Sequence, residues 1–118
     1  MISIVDDDAA VRAATGALVR SLGYTALTFE SAEAFLDSNQ LGRTCCLVAD
    51  LHLGGMTGLE LQNALNASGY RIPTIFITGF PDEAVRTQAF AAGAIGFLVK
   101  PFDDEDLVSC LEEALNSG

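Results

Sequence analysis

Four short stretches of this 118-residue chain carry side chains that could do chemistry together: the acidic run Asp6-Asp7-Asp8, a lone Asp50 ahead of a glycine-rich loop, Thr78, and Lys100. Two carboxylates about 4 Å apart repel by about 4 kcal/mol at an effective dielectric of about 20, so Asp6, Asp7 and Asp50 brought together want a counter-ion. Lys100 is the sole lysine and supplies one positive charge. A hard divalent cation supplies the remainder. Magnesium (Mg²⁺) takes oxygen ligands in octahedral geometry and keeps several waters, which suits a few carboxylates and a backbone carbonyl, and Mn²⁺ can substitute. No His/Cys pattern points to zinc. A carboxylate beside such a cation, an ammonium and a hydroxyl is a candidate phosphoryl acceptor. Asp50 could attack phosphorus to give an acyl phosphate while metal, Lys100 and Thr78 meet the three equatorial oxygens.

The chain must bring these residues to one place, and each sits at the end of an apolar run. Residues 2–5 read as a first strand, followed by a helix from Asp8 to Leu22 with Val11, Ala14, Leu18 and Leu22 on one face, capped by Asp7 or Asp8 and stopped at Gly23. Residues 24–29 alternate like an edge strand, and Ser31 caps a short helix that turns Ala32, Phe35 and Leu36 inward. The run from Cys45 to Ala49 reads as a buried strand delivering Asp50. Thr57-Gly58-Leu59-Glu60 has the spacing of a capping box, which predicts a helix to about Ser68 with Leu59, Ala64 and Leu65 as core contacts. Residues 73–78 form a fourth strand, Pro81-Asp82-Glu83 opens a helix that ends by Gly93, and residues 95–100 form a fifth strand. Asp103 then caps a last helix through Leu107, Leu111 and Leu115. Asn116-Ser117-Gly118 looks like a linker or loose tail.

Five strand-helix units imply right-handed crossovers and a parallel sheet covered on both faces, an α/β doubly wound fold. Ligands bind such sheets at the strands' carboxyl ends, the edge where Asp6, Asp50, Thr78 and Lys100 all fall. With 118 residues, half of them hydrophobic, the chain suits one domain over 1–118. A formal charge of −10 repels phosphate backbones and anionic lipid, so neither nucleic acid nor a membrane surface is an expected partner. The acids at 6–8 exclude a signal peptide or spanning helix at the start, which points to a cytoplasmic protein. Cys45, Cys46 and Cys110 lack zinc or disulfide spacing and are expected to be buried packing.

Simpler readings exist for each residue alone. The acidic run could be a solvated helix start, Thr78 a polar strand end and Phe97 a core aromatic. His52, the sole histidine, is expected at the mouth of the site rather than in side-chain catalysis.

Together, Val5-Asp6-Asp7-Asp8, Val48-Ala49-Asp50, residues 56–61, Phe76-Ile77-Thr78-Gly79 and residues 93–102 resemble the receiver domains of two-component response regulators over nearly the whole chain. The resemblance implies a single flavodoxin-like (βα)5 domain with strand order 2-1-3-4-5. It implies Asp50 as phosphoacceptor, Asp7 holding Mg²⁺ directly, Asp6 mainly through water, and the His52 backbone carbonyl completing the metal site. Thr78 resembles the switch hydroxyl, Lys100 its salt-bridge partner and Phe97 the aromatic that changes rotamer. In the family the Lys100-Pro101 bond is typically cis. The implied donor is a sensor histidine kinase or phosphotransfer protein, and the surface of the fourth helix, fifth strand and fifth helix would engage an output domain or a second receiver copy. The stretch at 28–36 is similar to receivers fused to helix-turn-helix transcriptional outputs.

Where many receivers carry Met-Pro, Leu53-Gly54-Gly55 stands instead, and this loop is expected to be more mobile or differently shaped. Phe97 replaces a frequent Tyr and loses its hydroxyl. The competing readings are a small phosphatase or phosphotransferase with Asp50 as nucleophile, and a phosphorylation-independent interaction module. The first lacks a second acid placed as general acid/base and a cap; the second is favoured when the acceptor, acids, hydroxyl or lysine is missing, and all are present.

Overall fold

In the computed structural model residues 1–116 are described, and Ser117 and Gly118 of the expected tail lie outside them. Asn116 is not tail: it is the last residue of the final helix. The elements run β1 (Ile2–Val5), α1 (Ala9–Ser21), β2 (Ala26–Phe29), α2 (Ala32–Asp37), a short 3-10 turn (Leu41–Arg43), β3 (Cys46–Asp50), α3 (Gly58–Ala67), β4 (Thr74–Thr78), α4 (Glu83–Ala91), β5 (Ala94–Val99) and α5 (Asp104–Asn116). Every strand pair is parallel, and the sheet order is β2-β1-β3-β4-β5, as the resemblance implies. Among the described residues no helix is long and apolar enough to cross a membrane.

Alternation along the central strands divides the core. Val5, Leu47, Ala49 and Phe76 join Phe35, Leu61 and Ala89 on one face, beneath α2, α3 and α4. Ile2, Ile4, Cys46, Val48, Ile75 and Ile77 join Val19, Leu107 and Leu111 on the other, beneath α1 and α5. Helix starts follow the local signals. Asp8 caps α1 through bonds from Ala10 N and Val11 N, Ser31 caps α2, and Thr57 with Glu60 closes a complete capping box on α3.

Three local expectations change. On α1 the buried residues are Thr15, Gly16 and Val19, while Val11 and Leu18 are half-buried and Ala14 and Leu22 exposed. Gly16 lets the helix lie close to β2, where an added Cβ would stand 3.4 Å from Thr28 Cγ2, and the apolar stripe is turned aside to face Phe102 and Leu107 at the α5 side. On α3 the inward face is Gly58, Leu61, Gln62 and Leu65; the polar Gln62 hides this i, i+3, i+4, i+7 pattern, and Leu59 and Ala64 are left half-buried. Cys45 precedes β3 and is exposed, so only Cys46 is fully buried packing and Cys110 is partly so.

Burial pushes the Cys46 thiol up to about 12, and burial followed by the charges of Glu113 and Asp106 raises Cys110. Thiolate is the reactive form, so at neutral pH an alkylating reagent is expected to add one group promptly, at Cys45, and to reach Cys46 only on unfolding. Peptide mapping of the alkylated chain checks this; prompt labelling at Cys46 would contradict the packing.

Candidate functional site

Asp50 ends β3, where its neighbour Leu51 N still bonds to Ile77 O at 3.0 Å, so the backbone beneath the carboxylate is fixed by the ladder. The residue is 5% exposed. Oδ1 accepts the His52 N–H at 2.7 Å and Oδ2 accepts from Lys100 Nζ at 2.7 Å. Lys100 follows β5, tied to β4 by its N–H on Thr78 O at 2.8 Å, and its bond to Pro101 is cis. The same ammonium lies 3.8 Å from Asp6 Oδ2. Asp6 is held by the Asp8 N–H on Oδ1 (2.9 Å) and by Arg12 Nη1 on its carbonyl (2.7 Å).

Charge and burial oppose one another here. Desolvation pushes the Asp6 carboxyl above its ordinary value, with the charges of Asp50 and Asp7 adding to it against the Asp8 N–H and Lys100. Desolvation pulls Lys100 down, yet the hydrogen bond and charge of Asp50, with Asp6 and Asp8 behind them, outweigh it and leave the ammonium above its ordinary value. Two carboxylates, Asp6 and Asp50, against one ammonium leave a net negative cluster built of oxygen donors.

Strand alternation decides which residues meet. Asp6 continues the parity of Ile2 and Ile4, Asp50 that of Cys46 and Val48, and Lys100 that of Leu98, so all three belong to the α1/α5 side. Thr78 continues the parity of Phe76 and belongs to the opposite side, as does Phe97, which pairs with Phe76 in register and packs half-buried against that core. The Thr78 hydroxyl is fully buried and is engaged by its own loop: it accepts the Phe80 N–H at 3.0 Å and stands 3.3 Å from Phe80 O. Phe80 is 74% exposed, and its ring meets His52 edge-on at 5.2 Å between centroids. His52 thus stands exposed at the mouth of the site.

Asp7 is exposed, with Oδ2 4.0 Å from where a Cβ on Gly54 would stand. Among the described residues no three Asp, Glu, His or Cys side chains are grouped to hold a metal ion as they stand. In the loop before α3, Leu53 is buried in the core, Gly55 has φ of 106°, and Met56 N donates to Glu33 Oε2 at 3.3 Å. A Cβ on Gly55 would fall 2.8 Å from that Glu33 oxygen, the movable end of a flexible side chain, so it is the left-handed backbone that calls for glycine here.

The sequence reading missed Arg12, Glu33 and Phe80. Arg12 and Glu33 act through bonds to backbone and carry no motif. Phe80 had a signal, a large aromatic lying between Gly79 and Pro81 in a turn where polar residues are usual.

Comparison with known proteins agrees with this architecture. The family described as Response regulator receiver domain matches residues 2–112. Response regulator protein TmoT of Ectopseudomonas mendocina is 44% identical over 117 residues, covering 98% of this chain and 52% of that protein. Transcriptional regulatory protein TdiR of Thauera aromatica is 37% identical over 114 residues, covering 97% of this chain and 50% of its own length. The solved structure of response regulator StyR superposes with a TM-score of 0.91 at 40% identity, covering 98% of this chain and 59% of that one. The chain therefore spans about half the length of the curated relatives it matches. Fold, family match and relatives agree, and the chain belongs to the response regulator receiver domain family of two-component signalling.

Proposed function

We propose that residues 1–118 are one receiver domain that takes a phosphoryl group onto Asp50 from a phosphohistidine on a sensor histidine kinase or phosphotransfer protein, and thereby switches an attached or partner output. The observation that carries this reading is the convergence of Asp6 and Asp50, at the ends of β1 and β3, on the ammonium of Lys100, at the end of β5, with contacts of 3.8 and 2.7 Å. An Asp50 oxygen bonds to phosphorus as the phosphorus–nitrogen bond breaks, and the electron pair leaves with the imidazole, which needs no further oxidant or reductant. Lys100 orients the acceptor and meets phosphoryl charge. The His52 N–H fixes the second carboxylate oxygen.

The donor set fits Mg²⁺. Its side-chain groups are oxygens, its charge is negative after Lys100 is counted, and burial penalises the charged form of Asp6 in the absence of a second cation. Asp6, Asp7, Asp50 and the His52 carbonyl would hold it; Mg²⁺ would supply charge neutralisation for the phosphoryl oxygens. Thr78, on leaving Phe80 for the phosphoryl group, and Phe97 on the same side of the sheet, would carry the change to α4, β5 and α5, where the output domain or a second copy binds. The relatives' printed names, response regulator and transcriptional regulatory protein, support transcription as the output process.

The test is direct. Incubated with a small phosphodonor, the chain is expected to gain one phosphoryl group by intact mass when Mg²⁺ is present and none when it is chelated. Absence of any Mg²⁺-dependent gain would overturn the reading, and rapid consumption of the donor without a stable adduct would favour a phosphatase.

A further inference from the structure

A crevice of about 180 Å³ opens by the amino-terminal ends of β4 and β5, at the edge of the sheet opposite Asp50 and Lys100. Gln62 and Asn66 line it from α3, Arg71, Ile72 and Pro73 from the connection to β4, and Ile95 from β5. None of its lining residues is acidic, although the chain carries a net charge of −10. The phosphoryl chemistry proposed above makes no use of it.

Gln62 is 3% exposed, and its Oε1 has no hydrogen-bond partner. The amide is held in one orientation, because Nε2 donates to Ala89 O at 3.2 Å and turning it over would set Oε1 against that carbonyl oxygen. Asn66, one turn further along α3, is fixed in the same way by Nδ2 on Ala92 O at 2.9 Å. A buried acceptor left unpaired carries a cost that a donor placed against it removes. Arg71 brings a second polar group. It is exposed, and the ion pairs among the described residues are both made by Lys100, so no acid holds its guanidinium. Ile72, Pro73 and Ile95 add half-buried apolar walls.

At about 30 Å³ each, about six waters would fill such a volume, and those lying against the isoleucines and the proline lack partners. A flat ring displaces them at a gain, whereas one water on Oε1 leaves the apolar walls wet. An acceptor that needs an N–H, a guanidinium that suits a carboxylate and walls that suit a ring together describe one class of ligand. We propose that the crevice is a second binding site, taking a small heteroaromatic carboxylate whose ring N–H donates to Gln62 Oε1 and whose carboxylate meets Arg71.

The probe is indole-2-carboxylate, titrated into the unphosphorylated 118-residue chain and followed by heteronuclear NMR, so the outcome does not depend on phosphotransfer. The side-chain amides of Gln62 and Asn66 and the methyls of Ile72 and Ile95 are expected to shift together and to saturate. Benzofuran-2-carboxylate, which keeps the outline but carries a ring oxygen in place of the N–H, is expected to bind about tenfold more weakly. Gln62→Met is expected to erase that preference. Arg71→Ala, at an exposed position, is expected to weaken indole-2-carboxylate about fivefold and to leave indole itself within about twofold. The ligand pair and Arg71→Ala decide the matter even if Gln62→Met does not fold. No saturable shift at these groups with up to about 10 mM probe would overturn the site. Equal binding of the two carboxylates by the native chain would overturn the contact with Gln62 and assign its oxygen to ordered water only. Shifts confined to Lys100 and its surroundings would place the anion at the lysine and overturn the site as well. Unchanged affinity in Arg71→Ala would overturn the carboxylate end.

Discussion

Asp50→Asn is expected to abolish the Mg²⁺-dependent phosphoryl gain completely while leaving the fold within about 1 kcal/mol of the native stability. The chemical part follows from electron supply. An amide oxygen cannot attack phosphorus and leave a neutral, stable adduct, and no neighbouring carboxylate shares the position of Asp50: Asp6 is anchored by the Asp8 N–H and its Oδ2 stands 3.8 Å from Lys100, against 2.7 Å for Asp50. The structural part follows from opposing terms. Asn keeps an oxygen for the His52 N–H and relieves the repulsion with Asp6, but it gives up the ion pair with Lys100, whose side chain is 31% exposed, so that the pair is partly screened. Intact mass after phosphodonor treatment and a thermal melt read the two parts separately. A variant that melts like the native chain and still gains a phosphoryl group would place the acceptor elsewhere.

Gly58→Ala is expected to cost about 2 kcal/mol, lowering the melting temperature by several degrees, and to slow phosphoryl gain in the fraction that folds. An added Cβ at the start of α3 would meet Asp50 O at 2.8 Å, Leu51 Cα at 3.0 Å and Phe76 Cε1 at 3.0 Å. Two of these are backbone atoms of the strand end that carries the acceptor, so relief comes by moving either α3 or the Asp50 loop. Gly58 N also bonds to Leu51 O at 3.1 Å, which keeps the two segments together. Alanine would favour the helix by up to about 1 kcal/mol, too little to offset the overlap. Gly42→Ala is the control, because a Cβ there meets nothing within 4 Å and the backbone is not left-handed. Equal melts for the two variants would show that the approach of α3 to β3 is not a constraint.

The sequence by itself determined the kinds and order of the elements, the caps at Asp8, Ser31 and Thr57, and the edge of the sheet at which the acids, hydroxyl and lysine fall. These are readable because caps, apolar periodicity and strand ends are set by residues a few positions apart. What only the tertiary structure decided is how those groups face one another. Asp6, Asp50 and Lys100 meet on the α1/α5 side, while Thr78 and Phe97 fall on the α3/α4 side, because alternation assigns a face only once the register of neighbouring strands is fixed. The same non-local origin explains why Glu33 holds the Gly55 loop, why Gln62 lies in the core, and why Cys45 stands outside it. Each of those placements depends on residues 20 or more positions away in sequence, whose approach is set by how helices pack on the sheet rather than by any local pattern.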